Sequence, residues 1–155
     1  MPEFVRSVLI DAPVDEVFRF HEREDALSLL SPTFPRVRII GRSGVGIEPG
    51  ARLELRIGIF PWVALHTAYE RNRLFVDQQI RGPFAKWVHR HEFECAGTGT
   101  LLTDRVEYLL PGGPLVNGLF GWIVHLGLVN MFTHRHRVTQ KICGRRYSAP
   151  SLPAA

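Results

Sequence analysis

At 155 residues, with 45% hydrophobic and 22% charged positions, the chain suits a single domain whose core needs no covalent staple. Two cysteines exclude a disulfide framework, and no fingerprint of a nucleic-acid module appears, so no nucleic-acid partner is expected. The net charge of +4 is modest, and Arg135, Arg137, Lys141, Arg145 and Arg146 gather where cations suit the negative pole of a terminal helix.

Glu3 to Asp11 (EFVRSVLID) reads as an opening strand with Phe4, Val8 and Ile10 on one face. Ala12-Pro13 then starts a short helix. Proline suits its first position, Asp15 and Glu16 favour the positive pole, and Val14, Val17, Phe18 and His21 recur at helical spacing. Glu22 to Leu30 is a second short helix, stopped by Ser31-Pro32. Arg36 to Arg42 is the next strand, followed by a loop with Gly44, Gly46, Pro49 and Gly50. That loop leads into a strand and lacks a lysine-serine ending, so its phosphate-binding signal is weak.

Ala51 to Phe60 gives the cleanest pattern. Ala51, Leu53, Leu55, Ile57 and Ile59 alternate with Arg52, Glu54 and Arg56, as in a strand with one wet face. Trp62 to Glu70 follows as another strand. Leu74 to Arg81 and Phe84 to Cys95 flank Gly82-Pro83 as a hairpin, Gly97 to Gly99 is a turn, and Leu101 to Leu110 is the last strand. Short connections make the sheet antiparallel.

The run from Leu115 to Phe132 (LVNGLFGWIVHLGLVNMF) follows Gly112, Gly113 and Pro114, a usual helix start. The helix continues through His134 to Arg137 and on to Cys143, with Gly144 as its stop. Its first five turns have no polar face, and such a helix is either buried or in lipid. The run falls just short of the roughly 20 apolar residues of a membrane span and carries Asn117, His125 and Asn130. The expectation is therefore no span, but a helix gripped by a curved sheet, with a cavity on one flank. Residues 1–147 form the domain, and 148–155, rich in proline, alanine and serine, form a loose tail. With no secretory signal and no metal spacing around Cys95 and Cys143, packed, reduced thiols in the cytoplasm are expected.

This order of elements and its motifs resemble the START and plant-allergen (Bet v-type) helix-grip superfamily, also called SRPBCC. The nearest likeness is to bacterial ligand-binding members labelled cyclase/dehydrase-like. The residues that carry it are Asp11-Ala12-Pro13 with Val17-Phe18, the stretch from Phe75 to Phe84, and Trp87-Val88-His89-Arg90-His91-Glu92-Phe93. Thr103-Asp104-Arg105-Val106-Glu107-Tyr108, Leu110-Pro111 and Met131-Phe132 with Arg135 complete the set. The resemblance covers Glu3 to about Gly144. It implies an α+β helix-grip fold: a curved antiparallel sheet of about seven strands wrapped on a long C-terminal helix, with two short helices after the first strand. It also implies a deep, mostly apolar cavity between sheet and helix. It implies no reaction, because members bind lipids, sterols and polyketides and only some catalyse.

In a regular strand Trp87, His89, His91, Phe93 and Cys95 share one face, while Val88, Arg90, Glu92 and Glu94 face solvent. On the last strand Leu102, Asp104, Val106, Tyr108 and Leu110 share the apolar-rich face. A carboxylate, a phenol and two imidazoles thus point into a greasy interior. A carboxylate beside an imidazole fixes its tautomer and raises its basicity, which suits acid–base work or the anchoring of a polar ligand group. A buried His–Asp pair that only satisfies itself is the structural alternative. His89 and His91, at i and i+2, offer two imidazoles to a metal, but no third ligand has convincing spacing, so neither metal nor cofactor is expected.

Asp77, Gln79 and Arg81 make a second polar set whose facing the sequence leaves open. A two-residue loop at Gly82-Pro83 pairs Gln78 with Trp87, and one residue more puts Gln79 there and turns the other face inward. Arg81 near the cavity mouth is a candidate anchor for an anionic ligand, and Trp122 and His125 are candidates to line the cavity from the helix. His66 is able to pair across strands without any spacing that demands it.

The expected function is a binding or carrier module for a lipid-, aromatic- or polyketide-like molecule, with His89, His91, Asp104 and Tyr108 orienting its polar end. Two other classes stay open. One is a cyclase/dehydratase-type lyase that moves protons with the same His–Asp group. The other is a protein-interaction module, and an all-round apolar helix makes a homodimer possible.

Overall fold

The computed structural model describes residues 1–147 and consists of one antiparallel sheet with three helices. β1 (Glu3–Ile10) leads into α1 (Val14–Glu22) and α2 (Ala26–Leu30). β2 (Val37–Ser43), β3 (Arg52–Ile57), β4 (Phe60–Glu70), β5 (Leu74–Arg81), β6 (Lys86–Ala96) and β7 (Gly99–Leu109) follow, and α3 (Gly113–Tyr147) ends the chain. The tail expected at 148–155 lies outside the described residues.

Six strands run as a meander, and β1 returns to pair with β7, giving the order β1-β7-β6-β5-β4-β3-β2. Register slips between Ile39 and Gly41, Val63 and Ala64, and His66 and Ala68 mark bulges, which bend strands and increase their twist. The sheet therefore curls towards α3. This is the α+β helix-grip arrangement, with both short helices after the first strand.

Two expected elements end elsewhere. The alternation of Ala51 to Phe60 suggests one strand, but β3 stops at Ile57, which pairs with Phe60 across a two-residue turn. Gly58 there adopts φ +59°, a conformation that glycine accepts at no steric cost, and Ile59 is left exposed. At the other end of the chain, Gly144 does not stop α3, which runs on to Tyr147.

The core has two parts. Phe18, Ile10, Phe75, Phe93, Leu102 and Cys143 join α1 to the sheet and to the end of α3. Phe4, Trp62, Trp87, Val106, Leu128 and Phe132 pack the middle of α3 against the other end of the sheet. The grip is uneven. Leu128, Phe132, His136, Thr139 and Cys143 are buried at helical spacing, whereas Leu115, Leu119, Phe120, Trp122, Ile123 and Leu126 are exposed. So the all-round apolar character of the first turns does not mean burial. Gly113–Gly144 is long and apolar enough to cross a membrane by length and composition alone, yet its second half is built into the sheet's core. Asn117, which interrupts the apolar run, is buried and accepts a hydrogen bond from the Leu110 backbone N–H at 2.6 Å, tying the helix start to the end of the last strand.

Candidate functional site

Between the sheet and α3 lies a cavity of about 660 Å³. Leu53, Leu55, Trp62 and Ala64 of β3 and β4 form its floor, Val124, Leu128 and Met131 of α3 one wall, and Leu27 and Leu30 of α2 another. It reaches the surface beside Phe34, which both lines it and stands exposed. Most of the lining is apolar. Polar groups that line it from the sheet centre and helix include Asp77, His89, His91 and Arg135, and His66, His21 and Asn130 line it as well.

These groups meet because of strand register. Asp77 pairs with His89 across β5 and β6, and His91 pairs with Asp104 across β6 and β7. Extending the β5–β6 register places Gln79 opposite Trp87, so Phe75, Asp77 and Gln79 turn inward. The Gln79 side chain closes the hairpin: its Nε2 donates to the Phe84 carbonyl at 2.8 Å, and its Oε1 accepts from the Phe84 N–H at 3.2 Å.

Asp104 is the hub. Its Oδ1 accepts from His89 Nε2 at 2.9 Å, and His91 Nδ1 lies 2.9 Å from the same oxygen. Its Oδ2 accepts from His136 Nε2 of α3 at 2.7 Å. On the cavity side, Asp77 Oδ2 lies 3.6 Å from His89 Nδ1 and 3.5 Å from His91 Nε2. Phe75 stacks on the His91 ring at a 3.9 Å centroid distance, and Phe132 meets the His89 ring edge-on at 5.1 Å, so both imidazoles are held between apolar surfaces.

The electrostatics separate the two imidazoles. Burial pushes the Asp104 carboxyl up, but the charge of His91 and the N–H contacts from His136, His89 and His91 outweigh it and hold Asp104 well below the usual carboxylate range. Asp77 is likewise pushed up by burial and pulled further down by His91, then by the charge of His89. Burial disfavours a proton on His91, yet Asp104 and Asp77 together raise it above an ordinary histidine. His89 goes the other way, lowered by burial and then by the charge of His91. The surroundings thus favour a proton on His91 and disfavour one on His89. Arg135 is lowered by burial, and among the described residues its buried Nε has no hydrogen-bond partner, although its guanidinium lies over the Phe132 ring at 5.5 Å.

Residues 10–132 match the family model described as polyketide cyclase/dehydrase and lipid transport. The chain belongs to this polyketide cyclase/dehydrase family. Among curated proteins, none matches the sequence significantly. Solved structures of the same fold include an aromatase/cyclase (Zhui) from Streptomyces sp. R1128, 13% identical, covering 96% of each chain with a TM-score of 0.72. Another is the protein TTHA0849 from Thermus thermophilus, 17% identical, covering 95% of this chain and 100% of that one with a TM-score of 0.70. Norcoclaurine synthase from Thalictrum flavum, in complex with dopamine and hydroxybenzaldehyde, is 14% identical, covers 96% of this chain and 89% of its own, and has a TM-score of 0.70. At such identities the likeness is one of fold.

Within this family frame, the structure gathers some of the sequence-derived candidates at the cavity and leaves others away from it. Trp87, His89 and His91 line the cavity, and Asp104 sits directly behind the two histidines. Phe93 is packed in the core beneath α1, in edge contact with Phe18. Tyr108 donates to the Gly121 carbonyl at 3.2 Å, bracing the start of α3 rather than facing the cavity. Trp122 is 63% exposed, and His125 is exposed with its ring against Phe4, because the helix face turned to the cavity carries Val124, Leu128, Met131 and Arg135 instead. Arg81 is exposed and lines a separate pocket of about 290 Å³ with Arg38, Glu54 and Arg56. Cys95, placed inward by alternation, is exposed at the end of its strand. Sequence reasoning missed His136 and Arg135 as site groups. Both lie in a basic run; the signal for His136 is the helical spacing from Leu128 through Phe132, and Arg135 stands out only as part of the family resemblance.

Proposed function

We propose that the protein binds one amphiphilic small molecule, with its apolar body along β3, β4 and α3 and its polar end against Asp77, His89, His91 and Arg135. The observation that supports this most is the composition of the cavity wall: apolar over most of its surface, with Asp77, His89 and His91 in mutual contact at the sheet centre and Arg135 on the facing helix. Burial of the apolar body supplies affinity, at roughly 25 cal/mol per Å². Arg135 replaces Arg81 as the group suited to an acidic head, since a buried guanidinium nitrogen without a partner is costly until something accepts from it.

Native mass spectrometry of the purified protein, followed by denaturing extraction, tests this reading. A co-purified lipid or aromatic acid supports it. Failure of fatty acids, aromatic acids and apolar dyes to bind at all overturns it.

A second reading has its own support. His89 and His91 face the same cavity, and their surroundings disfavour a proton on the first and favour one on the second, which suits a base and an acid side by side. That pair suits proton transfer in a cyclisation or dehydration, the reaction class named in the family's description. Saturable turnover of a polyketide-like substrate, lost in His89→Ala while the ligand still binds, supports an enzyme. Binding without turnover supports a carrier.

A further inference from the structure

The two histidines of β6 are one ligand short of a metal site when only their strand is considered. The tertiary structure supplies the missing ligand from β5. Asp77 Oδ2 stands 3.6 Å from His89 Nδ1 and 3.5 Å from His91 Nε2, and all three atoms lie within 4.8 Å of one another. We infer that Asp77, His89 and His91 form a two-histidine, one-carboxylate site for a first-row divalent metal ion, zinc(II) or iron(II) in type, open towards the cavity.

Three geometric facts carry this. The first is hydrogen-bond polarity. The Asp104 carboxylate only accepts, so His89 carries its hydrogen on Nε2, and a neutral His91 carries its hydrogen on Nδ1. The lone pairs of His89 Nδ1 and His91 Nε2 then converge with a carboxylate oxygen, three acceptors around one point. A proton on one imidazole answers two of the three acceptors, whereas a metal ion among them answers all three at once.

Spacing is the second fact. The contacts to Asp104 are 2.7 to 2.9 Å, the length of charge-assisted hydrogen bonds. Those to Asp77 are longer by more than half an ångström, close to the roughly 3.0 to 3.4 Å that separates adjacent ligand atoms about a zinc ion with bonds of about 2.0 to 2.1 Å. The third fact lies behind the ligands. Asp104 takes both outer N–H groups, and His136 fixes its remaining oxygen, which is how ligating imidazoles are usually oriented. Three protein ligands on one side leave coordination positions facing the cavity, where a carbonyl or carboxylate oxygen of a small molecule would complete the sphere. Metal binding does not require the cavity to hold an organic ligand, so this inference and the binding function fail separately.

Zinc(II) added to chelator-treated full-length protein, followed by calorimetry, reads the site directly. The expected result is one equivalent per chain, weakened at least about 100-fold in Asp77→Ala and His89→Ala and roughly 10- to 100-fold in Asp104→Asn. His125→Ala, on the exposed face of α3, and Arg90→Ala, on the outer face of β6, bind as the parent does. Circular dichroism establishes that each variant is folded. For any that is not, zinc X-ray absorption on the unaltered protein replaces it, with two imidazoles and at least one carboxylate or other oxygen expected about the metal. No stoichiometric binding, binding that survives Asp77→Ala and His89→Ala in folded protein, or an absorption spectrum without two imidazoles overturns the site.

Discussion

His136 donates to Asp104 Oδ2 at 2.7 Å, which joins α3 to β7 through a buried polar contact directly behind the cavity. Asp104 is thereby fixed from the helix side while it fixes His89 and His91 on the sheet side. One carboxylate holds the helix and orients the imidazoles.

Asp104→Asn is expected to destabilise the protein by about 3 kcal/mol, because it removes one partner from a buried charged group. His136→Ala should cost less, about 1 to 3 kcal/mol, since it leaves one acceptor lone pair unsatisfied. Urea denaturation of the two variants against the parent checks both. A cost below about 1 kcal/mol for Asp104→Asn would mean that the cluster does little for the fold.

His21 predicts an acid-side loss of stability. Burial, despite the hydrogen bond to the Val17 carbonyl, holds its imidazole down to about 4 from the ordinary 6.5. The unfolded chain therefore takes up this proton first, so stability is full above 6.5 and falls as pH drops towards 4. The loss amounts to about 3 kcal/mol at the acid end. His66 and His89 are lowered too and act in the same direction. His91 is raised, so its contribution is complete below 6.5 and is lost only as pH rises through its folded value. Asp77 and Asp104 are lowered, so theirs is lost only at still more acid pH. Denaturant midpoints at about pH 7 and about pH 4.5 should separate less in His21→Gln than in the parent. Equal separation would remove His21 as the cause.

Gly127 offers a way to close the cavity without damaging the core. It lies on the cavity side of α3, and a Cβ added there meets nothing within 4 Å. Gly127→Phe is expected to leave stability unchanged or raise it by up to about 0.5 kcal/mol, since glycine is a poor helix residue. The binding of an apolar dye should fall at least about tenfold, a penalty of roughly 1.4 kcal/mol. Unchanged dye affinity would place the dye elsewhere.

The tryptophans should behave unlike one another. Trp87 is buried and meets Trp62 edge-on at 5.1 Å, so Trp87→Ala should cost about 3 to 5 kcal/mol. Trp122 is exposed, and Trp122→Ala should change stability by about 0.5 kcal/mol or less. Acrylamide quenching of the single-tryptophan proteins reads the same contrast, with Trp122 quenched far more readily.

Much of the strand pattern was legible because alternation and turns are local. Ala51 to Ile57 shows its wet and dry faces in the residue types alone, and the parity of Trp87, His89 and His91 placed both imidazoles inward, where they are. The strand that joins them to a second carboxylate was not legible. Whether Asp77 or Gln78 turned inward depended on one residue of hairpin register, and a slip of one reverses every side chain.

The long helix shows the same limit from the other side. Its sequence announced a helix and an apolar surface, but hydrophobicity without a polar stripe carries no direction. Packing decided that Leu128, Phe132 and His136 face the sheet while Trp122 and Leu126 do not. The sequence alone thus determined which segments are strands and helices, and that imidazoles and a carboxylate point inward, since these follow from periods of 2 and 3.6. Only the tertiary structure decided which of them meet. Asp77, Asp104, His136 and Arg135 come from three different elements, and their meeting depends on strand register and helix rotation, neither of which is written in any one segment.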